Sequence, residues 1–244
     1  MKRLVLFLFL LPVIVFADVD TKDGTAITTS SNIDGFTSNI SKIDGQTVTG
    51  GGGSSATVLD VPFEGGSEAA RLKNLVDNSD PTTVDGATTA SSPCNGTYSY
   101  DTGGSTNELI YSISNFDPDD FKITVDFKMP SYAAGDHVLD IYIDANNRIR
   151  IFTNAPNTVH ASVIKGGTTT LMEGVTTVND SACHTLELTG NGTSITWKID
   201  GNTDDTATNS GTWSGTVSEV NWGIEQDNTS GCDCILDRLI ITTN

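Results

Sequence analysis

Apolar and polar residues alternate with period two along most of the chain after Thr57. The clearest stretches are "FKITVDFKM" (121–129), "VLDIYID" (138–144), "NRIRIFT" (147–153), "HASVIK" (160–165), "HTLELTG" (184–190), "SITWKIDG" (194–201), "EVNWGIE" (219–225) and "ILDRLIITT" (235–243). Period-two patterning buries one face of a strand, and these runs are separated by Gly, Asn, Asp and Thr, the residues of tight turns. Many short strands at close spacing predict an all-β fold, a two-sheet antiparallel sandwich or jelly roll. Only "EAARLKNLVDN" (68–78) reads as helical, and no strand–helix–strand alternation appears.

Two hairpins follow from the pattern. In the first, Asp144 to Asn147 form the turn. A three-residue loop with Asn147 in the left-handed region would pair Asp144 with Arg148. Ile143 would then face Ile149, Tyr142 face Arg150, Ile141 face Ile151, and Asp140 face Phe152. One side, Leu139, Ile141, Ile143, Ile149 and Ile151, is wholly aliphatic and belongs in the core. The other side carries Asp140, Tyr142, Arg150 and Phe152, either a working surface or the wet side of a sheet. In the second hairpin, "GNGT" (190–193) turns the chain; Leu186 and Leu188 share a face, as do Ile195, Trp197 and Ile199.

The first 56 residues are patterned differently. Lys2 and Arg3 precede a 13-residue apolar run, Leu4 to Phe16, with small side chains at Val15 and Ala17. That is the layout of a secretory signal peptide over residues 1–17, and the run is shorter than the roughly 20 residues a membrane-spanning helix needs. Residues 18–56 hold few large apolar side chains. Ile33-Asp34-Gly35 recurs as Ile43-Asp44-Gly45, and the segment ends in Gly50 to Gly53 and Ser54-Ser55, a flexible linker composition. A stalk here, able to form homo-oligomers by assembling with its neighbours, leads to a folded region at 57–244.

The chain has 13 basic and 31 acidic residues, a net charge of −18; without residues 1–17, which carry two of the bases and no acid, 227 residues and a charge of −20 remain. Such a chain repels nucleic acid and anionic membranes. Four cysteines, Cys94, Cys183, Cys232 and Cys234, predict two disulfides in an exported protein. A bond between Cys232 and Cys234, two residues apart, would be strained. Each is therefore expected to pair with one of Cys94 and Cys183. Zinc is not expected, because no CxxC pair or histidine cluster accompanies the thiols.

The phrases "ISNFDPDDFKITVDFKM", "LDIYIDANNRIRIFT", "CHTLELTGNGTSITWKIDG" and "ILDRLIIT", with "TVLDVPFEGG" near their start, resemble in order the strands of concanavalin A-like, laminin G-like jelly rolls, over residues 57–244. Where that family often has Trp-His, this chain has Cys183-His184. "SKIDGQTV" resembles repeats that precede the heads of phage-tail and bacterial surface-fibre proteins. The first resemblance implies a secreted or surface-displayed module that binds glycans or another extracellular surface, often with calcium. Some members of this sandwich class are glycosidases or polysaccharide lyases, and the fold does not choose between these chemistries.

The residues narrow the choice. A retaining glycosidase needs two carboxylates about 5–5.5 Å apart, and the family's Glu-x-Asp-x-x-Glu strand is absent. Glu225 and Asp227 have no acidic partner at that spacing. Lyases of this architecture combine Arg, His or Gln, and Tyr; Tyr142, Arg150 and His160 make part of that set. No Gly-x-Ser-x-Gly, P-loop or His-Glu-x-x-His motif occurs. For calcium, Asp136, Asp204 and Asp205 in expected rim loops are the candidate oxygen ligands. Sugar binding asks for an exposed ring beside orienting polar groups. Trp197 and Trp222 alternate with aliphatics and read as core. Trp213, in the small-residue loop "NSGTWSGT", together with Tyr132 and Tyr142, are the candidate rings; Asp140, Arg150 and His160 are the candidate polar partners. The expected function is non-catalytic recognition, with a structural fibre subunit and a lyase or glycosidase as alternatives.

Overall fold

The computed structural model describes residues 42–43, 46–47, 55–65, 67–85, 88–90, 94–103, 107–131, 133–154, 156–224 and 231–243. The leader, most of the 18–56 segment, Tyr132, Glu225 and Asp227 lie outside them. The chain divides into two units, 1–48 and 49–244. In the first, β1 (Lys42–Ile43) and β2 (Gln46–Thr47) pair antiparallel.

The second unit is built from β3 (Ala56–Val61), α1 (Glu68–Arg71), β4 (Thr83–Asp85), β5 (Thr88–Ala90), β6 (Ser99–Asp101), β7 (Glu108–Ser112), β8 (Asp120–Lys128), β9 (His137–Asp144), β10 (Asn147–Asn154), β11 (Thr158–Lys165), β12 (Thr168–Met172), β13 (Cys183–Asn191), β14 (Ser194–Ile199), β15 (Asn202–Thr208), β16 (Glu219–Trp222) and β17 (Ile235–Thr243). Seven strands form one sheet in the order β12-β11-β10-β9-β16-β7-β4; the other runs β15-β14-β13-β8-β17-β6-β5, with β3 also paired to β17. All of these ladders are antiparallel. This is the two-sheet sandwich that the alternation predicts.

The inward residues of both sheets meet in one core. Phe121, Ile123, Val125 and Phe127 of β8 are fully buried, as are Leu186 and Leu188 of β13 and Ile195, Trp197 and Ile199 of β14. The second hairpin folds as read, with Leu186 opposite Ile199 and Leu188 opposite Trp197. Leu139, Ile141, Ile149 and Ile151 are also fully buried, and Ile143 is partly buried against the same cluster. The helical expectation over 68–78 shrinks to the single turn α1. Asn74, 1% exposed, accepts from the N–H of Asp60 and of Val76, each at 3.1 Å, and donates to Asp77. An Asn side chain that serves nearby backbone in this way competes with helix continuation.

Two expectations are corrected. The first hairpin pairs Asn147 with Asp144, Arg148 with Tyr142, Ile149 with Ile141, and Arg150 with Asp140. The loop is two residues, not three, and Asn147 is not among the residues with positive φ. Asn147 is instead a buried hub. Its amide donates to Asp144 and to Ser214 Oγ (2.9 Å), and its oxygen accepts from the N–H of Gly166 (3.2 Å) and Ser214 (3.0 Å). A bulge between Asn147 and Arg148 adds a second one-residue shift to that of the shorter loop, so the register beyond it differs by two residues from the expected one. An even shift keeps every side chain on its face, so the aliphatic half survives. The disulfides join Cys94 to Cys183 and Cys232 to Cys234. The chain bends at Asp233, bringing the Cα atoms of Cys232 and Cys234 to 5.2 Å, within bridging range. Thr102 Oγ1 holds that bend, donating to the Cys232 carbonyl and accepting from the Cys234 N–H.

Candidate functional site

Residues that point away from the core on the seven-stranded sheet form a grid. Its middle row follows directly from the ladders: Asn221 on β16 faces Asp140 on β9, which faces Arg150 on β10, which faces Ser162 on β11. Each is flanked along its strand by inward apolar residues: Val220 and Trp222, Leu139 and Ile141, Ile149 and Ile151, Ala161 and Val163. This row is far from wet. Asp140 is 0% exposed, and Asn221 and Ser162 are 1% exposed.

Arg148 clamps Asp140 from the neighbouring strand. Its Nε and Nη2 donate to the two carboxylate oxygens at 2.8 Å each, a bidentate pair across a diagonal of the β9–β10 ladder. The Arg148 guanidinium also lies 5.4 Å from the centre of the half-buried Tyr142 ring. Tyr142 is thus the direct neighbour of Arg148, not of Arg150 as the sequence suggested. Asp140 stands opposite Arg150, not Phe152. One row further on, Phe152 is flanked by His137 at 5.8 Å and His160 at 6.0 Å, and the Arg150 guanidinium sits 5.1 Å from the Phe152 ring.

His160 is 6% exposed and bonded at both nitrogens, to Asn154 Nδ2 and Thr158 Oγ1 at 3.2 Å each. Burial holds its pKa below the usual histidine value, against the nearby charges of Glu173 and Asp205. It lines an open depression of about 460 Å³ with Asn154, Thr158, Glu173, Gly174 and Val175. That volume falls within the range of roughly 300–1,000 Å³ typical of ligand pockets. Gly174 is required there: a Cβ would come within 1.9 Å of the Val159 carbonyl oxygen.

The opposite end of the face is acidic. β4 sets Asp85 opposite Glu108, and Glu219 stands on the next strand, β16. Burial, then the charges of Asp85 and Glu219, raise the Glu108 pKa. This pairing was invisible in the sequence, where Asp85 and Glu108 lie far apart and only the ladder joins them.

The remaining candidates fall elsewhere. Trp213 is half-buried and packs against the core rather than standing exposed, because its loop folds back over Asn147 through Ser214. Asp204 and Asp205 are on β15, not in rim loops. Asp204 accepts from the N–H of Val175 (2.8 Å) and Thr176 (3.0 Å), and Asp205 from the N–H of Glu173 (2.9 Å). Asp136 does lie in a loop, just before β9; burial, then the charge of Asp233, raises its pKa. Among the described residues, no group of three or more His, Cys, Asp and Glu side chains is placed to hold a metal ion.

Comparison with solved structures places the architecture. The binding domain of botulinum neurotoxin serotype D matches with a TM-score of 0.60 at 10% identity, over 78% of this chain and 48% of that one. A botulinum neurotoxin type C structure, tied to interaction with two ganglioside molecules, matches at 0.58 and 13% identity, over 78% and 48%. Domain 4 of AbnA, a GH43 extracellular arabinanase from Geobacillus stearothermophilus in complex with arabinotriose, matches at 0.53 and 11% identity, over 78% and 93%. The chain is a jelly-roll sandwich. At these identities the likeness is one of fold, and this chain spans less than half the length of the two toxin structures. No protein-family profile matches the sequence, and no curated protein matches it.

Proposed function

We propose that this protein is a non-catalytic extracellular recognition module that binds oligosaccharide on the outer face of its seven-stranded sheet. The observation that carries this reading is the grid itself. A buried, bidentate Asp140–Arg148 pair fixes polar groups between two half-buried rings, Tyr142 and Phe152, beside the depression at His160. Rings that stack on a sugar and rigid polar groups that orient it are what saccharide recognition requires. The arabinotriose bound by a domain of the same architecture supports the assignment. Two disulfides support an oxidising, exported setting. No helix among the described residues is long and apolar enough to cross a membrane. Calorimetric titration with arabinan, xylan and glucan oligosaccharides tests the reading: one class should bind, and Tyr142→Ala should abolish that binding while leaving the fold intact. Binding that is unchanged in Tyr142→Ala would move the site elsewhere.

A second reading has one observation in its favour. Asp85 and Glu108 are cross-strand neighbours, and the raised pKa of Glu108 suits a proton donor in glycoside hydrolysis. Release of reducing ends by the wild type, lost in Glu108→Gln, would establish hydrolysis over binding alone.

A further inference from the structure

The depression at His160 is braced on both sides. Along one wall, Asp205 accepts from the N–H of Glu173 (2.9 Å), while Asp204 accepts from the N–H of Val175 (2.8 Å) and Thr176 (3.0 Å) and from the Thr176 hydroxyl (2.7 Å). Along the other, Thr158 Oγ1 donates to the Asn154 carbonyl (3.1 Å). That leaves the Thr158 oxygen to accept from His160 Nε2 and leaves Nδ1 to accept from the Asn154 amide, so the bonds around the ring suit a neutral imidazole. A bridge between Thr158 and Thr177 and the bond from the Val178 N–H to the Asn157 carbonyl (3.0 Å) tie the walls together. A depression fixed in this way needs little ordering to receive a ligand.

What a ligand meets there is open to solvent. Val175 is 74% exposed, the most exposed large apolar side chain among the described residues, and Pro156 is exposed as well. Glu173 presents an exposed carboxylate in the same lining. The largest charges bearing on the His160 ring are those of Glu173 and Asp205. The guanidiniums of the face do not reverse this. Arg148 is clamped to Asp140. Arg150 belongs to the row beside that of His160, 5.1 Å from the Phe152 ring. With Arg150 counted, this corner still sets three carboxylates, Glu173, Asp204 and Asp205, against one guanidinium. Negative potential beside apolar surface matches a ligand with a cationic group on a ring that has C–H faces, and it opposes a carboxylated or sulfated one.

We propose that the depression at His160 is the subsite for an amino sugar, with Glu173 accepting from its ammonium group and Val175 and Pro156 flanking its ring. The inference rests on the oligosaccharide reading above and names the class of one residue of that ligand.

The test titrates the full chain by calorimetry with glucosamine oligosaccharides, in free-amine and N-acetylated forms, and with the glucan oligosaccharide of the same linkage. The pH is set between the carboxylate and amine ranges, so that both groups are charged. The free-amine form should bind about tenfold tighter than the other two, the worth of one charged hydrogen bond, and the advantage should shrink in high salt. Glu173→Gln should erase that advantage with no change in melting temperature. Glu187→Gln, the same charge change on the opposite sheet, should keep it; this separates a local contact from the general attraction of a cationic oligosaccharide to a chain of net charge −18. Equal affinity for the amine and hydroxyl forms, an amine advantage that survives Glu173→Gln, or preference for arabinan, xylan or an anionic saccharide would overturn the inference and keep the oligosaccharide reading. Binding of no oligosaccharide at all would overturn both.

Discussion

The two outer faces of the sandwich come from strands with the same alternating pattern, yet they are different surfaces. On the eight-stranded sheet, the outward residues of β8, β13 and β14 include Lys122, Glu187 and Lys198. Glu187 accepts from Lys122 at 2.5 Å and lies 3.3 Å from Lys198, with side chains 22–44% exposed. On the seven-stranded sheet, the matching positions hold Asp140 and Arg148 at 0% and 13% exposure. The first is a solvated salt bridge that stabilises little; the second is a desolvated pair whose members depend on each other. Period-two alternation reports which residues leave the core. It does not report whether they reach water.

The largest expected effect breaks this contrast directly. Asp140→Ala strands the Arg148 guanidinium and should destabilise the fold by about 3–5 kcal/mol in urea unfolding. Glu187→Ala should cost about 1 kcal/mol or less. Equal losses would mean that the faces do not differ.

The pH dependence should differ in sign. Burial, Asp85 and Glu219 raise the Glu108 pKa. Its contribution to stability is therefore full below the unfolded-state pKa and fades as pH rises through the folded value. Burial opposes ionisation of Glu187 too, but the bonds and charges of Lys122 and Lys198 outweigh it and lower its pKa. Its contribution is present above the unfolded pKa and lost as pH falls through the folded value. Urea midpoints measured from acid to neutral pH should show Glu108→Gln gaining on the wild type as pH rises, and Glu187→Gln falling behind.

His184 offers a sharper, smaller version. Burial opposes its protonation, but bonds to Asp200 (2.8 Å) and Asp180 (3.1 Å) prevail and raise its pKa. Asp200→Asn should lower the His184 pKa in an NMR titration. Stability supplied by the clamp, present below the unfolded histidine pKa, should then be lost at lower pH than in the wild type. An unmoved titration would show that Asp200 does not hold the imidazole. The smallest effect on stability is expected from Tyr142→Ala. The cation–π contact with Arg148 contributes roughly 0.5–1 kcal/mol, so that variant should unfold near the wild type even where it fails to bind ligand.

The core was legible in the chain because Leu139, Ile141, Ile149, Ile151, Leu186, Leu188, Trp197 and Trp222 announce themselves by spacing. Asp140, Arg150 and His160 were legible as residues of one face, but their partners were not. Arg148 reads as one more outward charge until the two-residue turn and the bulge after Asn147 set it diagonal to Asp140. That turn depends on contacts from Asn147 to Ser214 and Gly166, which no local pattern encodes. Asn221 and Ser162 gave no signal, since a polar residue between two apolar ones is what any wet strand shows. The Cys232–Cys234 bond was missed because a bend at Asp233, held by distant Thr102, has no local signature.

Asp204 and Asp205 bear on how this molecule meets its own copies. Strands β12 and β15 are edge strands of the two sheets, and free edge N–H groups invite pairing with a strand from another molecule. Just past β12, the N–H groups of Glu173, Val175 and Thr176 are already taken by these two carboxylates. A neighbouring chain approaching this border would find occupied donors and negative charge instead of a template. The acidic pair thus takes up the backbone donors where the chain leaves this edge strand.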